Sequence, residues 1–331
     1  MPDDVVSLLK VLQVAESALV KGGSAAPRTW QTGFDPLDTY LGGGLRAGEL
    51  ILLGGPQGLG KTTMALQILR QVVLAGGRGL LFTFEHDEQT LLERFLSLEA
   101  AESAGEEGVP LRLVREAMST ASAEAGDLAA RLSSNEGVLE ALRSLQSYGD
   151  RLSLHRSSGR STTVEVIRER VLSQLKTGDA PLVVVDYLQK VMAPDAPLEE
   201  ERVTQVVEGL KDLALEAGVP VLAVVASDQE GIRAGKRLFT HNLRGSSALA
   251  YEADVVLLLN EKYDIVARHH LVYDAGSAER FRAYAVLSID KNRSGLDKVD
   301  LEFRKRFEQG RFERTGQPVR EQLTDARIFV D

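Results

Sequence analysis

The apolar positions of the chain change period repeatedly, and each change marks an element. Residues 4–20, DVVSLLKVLQVAESALV, put Val5, Leu8, Leu12, Ala15 and Leu19 on one stripe, the spacing of an amphipathic helix. The KGGSAAPR that follows is rich in Gly, Ser and Pro and reads as a linker. Residues 1–28 are therefore expected to be a linker helix with a flexible linker, and residues 29–331 the main domain. The helix could dock on a neighbouring subunit or fold back on its own domain; the pattern leaves both open.

From Trp30 the pattern alternates. ELILL is a short buried strand followed by a glycine-rich loop. A helix then carries Met64, Ile68 and Val72 beside Ala65, Leu69 and Val73, with Gly76 and Gly77 placed to end it in the left-handed conformation. GLLFTF (79–84) is a second strand. Residues 98–150, rich in Ala, Glu and Ser and broken at SAGEEGVP and SSNEG, read as a helical elaboration. RLSLH returns as a strand, and Thr162 with Glu165 makes a capping box for the helix VEVIRERVLSQL. PLVVVD (181–186) is continuously apolar, the mark of a strand covered on both faces. A helix with Val203, Val206, Leu210, Leu213 and Ala217 stops at Gly218, and the strands PVLAVVAS, DVVLLL, AYAVLSID and VDLEF follow. Such alternation predicts an α/β fold: a mainly parallel, twisted sheet with helices on both faces. The last strands, read with no helices between them, predict an antiparallel edge.

Composition narrows the class. A chain of 331 residues with 44% hydrophobic and 26% charged residues has the make-up of a globular protein with a full core. No apolar stretch reaches the roughly 18 residues of a membrane span, and MPDDVVSLLK lacks a signal-peptide pattern, so no membrane partner is expected. The absence of cysteine excludes disulfides and thiolate chemistry and fits a cytoplasmic location. A net charge of −9 confines any nucleic-acid contact to a few loops. The five histidines, including the pair His269–His270, show no ligand spacing and read as surface or core residues.

The strongest chemical signal lies after the first long strand. Gly55-Pro56-Gln57-Gly58-Leu59-Gly60-Lys61-Thr62, followed by Thr63, fits G-x-x-x-x-G-K-[ST] between a strand and a helix. Glycines let several N–H groups converge on one phosphate, and the helix adds its positive end. Lys61 supplies a mobile charge for the outer phosphates, and the Thr62 hydroxyl can ligate Mg²⁺. The loop therefore points to a nucleoside triphosphate with Mg²⁺. Asp186, ending PLVVVD, would face this loop and hold the metal; Glu85, ending LLFTFE, could polarise the attacking water. His86 and Asp87 could be participants or solvated neighbours. The stretch GIRAGKRLFTHNLRG (231–245) holds Arg233, Lys236, Arg237 and Arg244 with no acid among them, as a loop touching a DNA backbone would need; a solvated basic loop is the plainer alternative.

With these residues placed, the chain resembles the RecA-like ATPase domain of the DnaB-family replicative helicases. The likeness runs over about residues 30–310 through TGFDPLDTYLGGGLRAGELILLGG, FTFEHDEQTLLERFLS, LVVVDYLQKV, LRGSSALAYEADVVLLL and IDKNRSG. The resemblance implies that Lys61 and Thr62 bind phosphate and Mg²⁺, that Asp186 is the metal-holding carboxylate and that Glu85 is the catalytic base. It further implies that Lys291 and Arg293 act in trans on the neighbouring subunit's γ-phosphate, although DKNRSGLDK alone could be a polar turn. By the same likeness Arg244, Gly245 and Ser247 contact single-stranded DNA, without sequence preference because backbone contacts carry none. The family shows Ser-Gln-Leu where this chain has ASDQE, so either Asp228 or Gln229 would sense the γ-phosphate. The helix 4–20 is similar to the family's linker helix, which docks on the next subunit of a ring.

The implied function is an ATP-dependent helicase or translocase, a homo-oligomeric and hexameric ring on single-stranded DNA, with 5′→3′ polarity. Since the family's N-terminal helical domain is not seen in these residues, an accessory, phage or mobile-element role with a replication or recombination partner is expected over the main replicative one. A regulatory or scaffolding ATPase of the RadA or circadian-clock type stands as the alternative. A small-molecule kinase would need an arginine-rich lid that no segment supplies.

Overall fold

A computed structural model of the protein describes residues 5–121, 126–231, 235–272 and 276–326. Its strands are β1 (Thr29–Trp30), β2 (Leu45–Arg46), β3 (Leu50–Gly55), β4 (Arg78–Thr83), β5 (Leu152–Arg156), β6 (Pro181–Asp186), β7 (Val221–Ala226), β8 (Val255–Glu261), β9 (Tyr284–Asn292), β10 (Val299–Arg306), β11 (Arg311–Phe312) and β12 (Gln317–Pro318). β1 and β2 form a separate ribbon that the hydrophobic pattern, too short there, does not show. The others build one sheet in the order β11-β10-β9-β8-β3-β7-β6-β4-β5, with β12 on β10. From β8 to β5 every pairing is parallel; β9 to β12 pair antiparallel, as the sequence pattern predicts. The connection between β8 and β9 does carry short helices at Lys262–Ile265, His269–Val272 and Ser277–Arg282, contrary to the reading of an edge without any. Their few apolar positions make less than two turns each, too short for a periodic signal.

Every residue of β3 and β6 is buried, because helices cover both faces. The main helices are α1 (Leu8–Val20), α2 (Leu37–Tyr40), α3 (Lys61–Leu74), α4 (Glu88–Ala104), α5 (Leu111–Ser119), α6 (Leu128–Arg131), α7 (Val138–Tyr148), α8 (Val164–Thr177) and α9 (Glu199–Ala217). Strand residues sort by alternation: Ile51, Leu53, Leu81 and Val184 join the core with α3 and α4, and Leu50, Leu52, Phe82 and Val185 the core with α8 and α9. The elaboration at residues 98–150 is helical and has a small core of its own around Leu96, Val114 and Val138. Its first helix begins earlier than the pattern indicated, at Glu88, where the Asp87 side chain accepts from the Thr90 N–H at 2.8 Å and caps it.

Two local expectations change. The cap of α8 is Thr163, which accepts from the Val166 N–H, whereas the Thr162 hydroxyl is buried and accepts from the Ser158 N–H. The helix is therefore capped one residue later than expected and by a single hydroxyl rather than a capping box, since the third helical residue is then Val166, whose side chain has no acceptor to return the bond. The α1 stripe packs on nothing among the described residues: none of its residues is buried, and Leu8, Leu12 and Leu19 are exposed. Folding back on its own domain is not what the structure shows.

Candidate active site

The phosphate loop is built as its residue types require. β3 ends at Gly55 and α3 starts at Lys61, with Gly58 at φ 79° and Gly60 at φ 87°, both left-handed. A Cβ on Gly60 would lie 2.7 Å from Phe312 Cζ, so this position needs glycine for space as well. Leu59 is buried and roots the loop in the core, leaving the backbone on either side to face the cleft. Lys61 Nζ curls back and donates to the Gly55 carbonyl at 2.7 Å and the Pro56 carbonyl at 2.9 Å. The Thr62 hydroxyl donates to Asp186 Oδ2 at 2.7 Å, joining α3 to the end of β6.

These groups line a cleft of about 1000 Å³ together with Gln57, Thr63 and Glu85. Asp186 is only 3% exposed, and burial pushes its carboxyl up to about 6; the Thr62 hydrogen bond opposes this, and the Glu85 charge adds to it. Burial likewise lowers the Lys61 ammonium, against the attraction of Asp186 and Glu85. A buried carboxylate that keeps such a penalty despite one hydroxyl donor suits a hard divalent cation, and Thr62 Oγ1 beside it is an oxygen of the required kind. Glu85 is exposed just beyond β4 on the cleft wall. His86 is half-buried in the same wall and burial lowers its pKa, whereas Asp87 is the helix cap described above.

One cleft residue escaped the sequence reading. Arg94 lines the cleft from the second turn of α4, and its buried Nε has no hydrogen-bond partner among the described residues. Burial, then repulsion from Arg115, lowers its pKa, while Asp186, Glu93 and Glu85 attract it. The signal was available: once Asp87 caps the helix, Thr90, Leu91 and Arg94 fall on one face. Gln189 was missed too. It is buried just after β6; its Nε2 donates to the Arg244 carbonyl at 2.9 Å and its Oε1 accepts from the Ala226 N–H at 3.2 Å.

Asp228 and Gln229 follow β7 and both line the cleft. The Asp228 carboxylate accepts from the Gly231 N–H at 2.7 Å, closing a turn, while Gln229 is exposed. Among the basic residues, Arg233 lies outside the described residues. Lys236 pairs with Glu230 at 2.5 Å, and Arg237, mostly covered, pairs with Asp300 at 2.5 Å. The loop lacks acids in sequence but gains them in space. Arg244 is exposed at the cleft rim and pairs with Glu199 at 2.5 Å. Gly245, at φ 120°, would place a Cβ 2.6 Å from Val203 Cγ2, so it lets this segment lie against α9; Ser247 is exposed at the start of α10 (Ala248–Glu252).

Lys291 and Arg293 stand elsewhere. β9 runs against β8, and its far end pairs Lys291 with Val256, next to Val255, which pairs with Ile51 at the beginning of β3. The phosphate loop leaves the other end of β3. At ~3.3 Å per residue, the strand separates the two places by roughly 17 Å. Lys291 Nζ donates to the Ala250 carbonyl at 2.7 Å, and Arg293 Nη2 to the Tyr251 carbonyl at 2.5 Å.

A glycine loop running from a parallel strand into a helix, with a carboxylate two strands away bonded to the first helical hydroxyl, defines a P-loop α/β protein. The match is closer than that class. Residues 30–313 match the model of the DnaB-like helicase C terminal domain, and the chain belongs to that family. It is 27% identical over 293 residues to the replicative DNA helicase DnaB of Mycoplasma pneumoniae, covering 85% of this chain and 56% of that protein. It is also 27% identical over 280 residues to DnaB of Pasteurella multocida, covering 83% of this chain and 54% of the relative. The chain thus spans about half the length of the curated relatives it matches. Its fold is that of a solved ATPase domain, at a TM-score of 0.71 and 20% identity over 93% of this chain and 99% of that one. A DnaB-like replicative helicase, whose structure was solved with its interactions with primase, superimposes at a TM-score of 0.67 and 19% identity over 94% of this chain and 67% of that one. The sheet is therefore RecA-like, and the family favours the helicase reading over the scaffolding alternative.

Proposed function

We propose that the chain is an ATP-hydrolysing motor of a replicative DnaB-type helicase, working as a ring, hexameric by family likeness, that translocates on single-stranded DNA. The observation that carries this reading is the split of the site: the phosphate loop and Asp186 lie at one edge of the sheet, Lys291 and Arg293 at the other. One copy cannot bring both to one nucleotide; two copies in file can.

In this reading the loop amides, Lys61 and the N-terminal end of α3 hold the triphosphate, and Thr62 with Asp186 would hold Mg²⁺, which supplies charge neutralisation on the phosphates. Glu85 orients and deprotonates the attacking water. Arg94, its Nε unpartnered in the cleft, adds positive charge from the same subunit. Gln229 is the better placed of the two sensor candidates, because the Asp228 carboxylate is engaged in its own turn. Arg293, with Lys291, would complete the transition-state charge in the next subunit's site. Arg244 and Ser247 touch the DNA backbone, and Gln189 ties their segment to the end of β7. Lys236 and Arg237 enter only if their acid partners release them, and Arg233 belongs to the same proposed loop.

The bare apolar stripe of α1 supports docking on a neighbouring copy. The names of the relatives support a replicative over an accessory role, and the primase interactions named for one solved neighbour support a replication protein as partner. The deciding experiment is ATPase rate per subunit against protein concentration, with and without single-stranded DNA. The expected result is a steep rise on assembly and a further rise with DNA. A rate independent of dilution overturns the shared site.

A further inference from the structure

Arg293 has to be aimed to act across a subunit boundary, and the structure shows one residue gripping it from two sides. Asp254 lies between α10 and β8. Its carbonyl accepts the Arg293 N–H at 2.9 Å, and its Oδ1 accepts from Arg293 Nη1 at 3.2 Å. The carboxylate is itself immobilised. Its Oδ2 accepts from the Leu50 N–H at 2.8 Å and from Lys211 Nζ at 2.7 Å, while the Asp254 N–H donates back to the Leu50 carbonyl at 2.9 Å. Lys211 is anchored in turn by the Gly48 carbonyl at 3.0 Å.

The geometry points to Asp254 as the positioning residue for the trans-acting arginine, with Lys211 as its support; this inference rests on the proposed trans role of Arg293. Exposure separates positioning from packing. The Asp254 and Lys211 side chains are 9% and 14% exposed, but the Arg293 side chain is 50% exposed. A half-exposed partner adds little to stability, so the ordered grip on it serves orientation. Arginine carries five N–H donors; Asp254 and the Tyr251 carbonyl each take one, which leaves the others for a phosphate oxygen. Because Asp254 also fastens the first residue of β3, a role confined to its own subunit's phosphate loop is the competing explanation.

Co-expressed mixtures separate the two. ATPase activity is measured for Asp254→Asn alone and together with Lys61→Ala, beside a control pairing of Arg293→Ala with Lys61→Ala. In a mixed ring, the Lys61→Ala copy lends an intact Asp254 and Arg293 to a neighbour with an intact loop. Asp254→Asn alone is expected to lose about a hundredfold in kcat, the cost of a misplaced catalytic group, with little change in nucleotide KM. Mixing with Lys61→Ala is expected to restore activity well above the sum of the separate proteins. A control that is not restored shows that Arg293 does not act in trans, and the inference falls with it. A restored control beside an unrestored Asp254→Asn mixture overturns the inference alone. If circular dichroism shows Asp254→Asn unfolded, Lys211→Met takes its place: a smaller loss restored by mixing supports the inference, and an unchanged rate or an unrestored loss overturns it.

Discussion

The two ends of β3 differ in almost every respect that matters for chemistry. At its C-terminal end the backbone does the work: left-handed glycines, a lysine folded over its own carbonyls, and a carboxylate sunk in the core. At its N-terminal end the side chains do it: Lys291 and Arg293 are partly exposed and held by the carbonyls of α10 and by Asp254. The first end gathers the glycine loop, Lys61, Thr62 and Asp186 around one cleft. The second is cationic and open, with no phosphate loop of its own chain in reach. On the proposed reading, the contrast teaches that the fold keeps the cradle that grips the triphosphate apart from the cations that complete its transition-state charge, so that a second copy has to connect them.

The largest expected effect comes from breaking the gripping end. Lys61→Ala should lower ATP hydrolysis by about 10³-fold or more and abolish nucleotide binding in equilibrium titration. Next comes the cleaving end: Arg293→Ala should cost about 10³-fold in kcat while the dissociation constant for nucleotide barely changes. Equal losses of binding in both variants would erase the distinction between the two ends.

A pH series sharpens the same contrast, since the gripping end buries a carboxylate whose pKa is raised into the working range. Burial raises the Asp186 carboxyl from 3.8 to about 6. A raised acid binds its proton more tightly folded than unfolded. The nucleotide-free protein therefore gains stability as pH falls from about 6 towards 3.8 and loses it again on the way up, by roughly 3 kcal/mol in all. Mg²⁺-dependent binding should run the opposite way and fail below about pH 6. Both trends should vanish in Asp186→Asn, as followed by thermal unfolding and nucleotide titration. The smallest effect belongs to neither end: Asp87→Ala removes only a helix cap and should cost about 1 kcal/mol of stability, read from denaturant unfolding.

The sheet was legible because its strands are fully buried and continuously apolar, as PLVVVD shows. So was the phosphate loop, whose glycines have no substitute. What stayed hidden depends on contacts between distant residues. Nothing local distinguishes Arg94 from any solvated helical arginine until the face of α4 is fixed by its cap. The acids that meet Lys236 and Arg237 include Asp300, brought in by the antiparallel edge from 63 positions away. The antiparallel run of β9 was legible, but the register that sets Lys291 opposite Val256, at the far end of the sheet from the phosphate loop, is fixed only by pairing between distant strands. The α8 cap slipped by one residue because two threonines stand side by side, and only burial decides between them.

A helix of 13 residues with no buried side chain is too short to hold its shape in water by propensity alone. The hydrogen bonds of α1 are thus on loan until something dry covers Leu8, Leu12 and Leu19. If copies of the chain supply that cover, helicity in solution becomes a gauge of association: the far-ultraviolet signal of Leu8–Val20 should rise with protein concentration before any nucleotide is added.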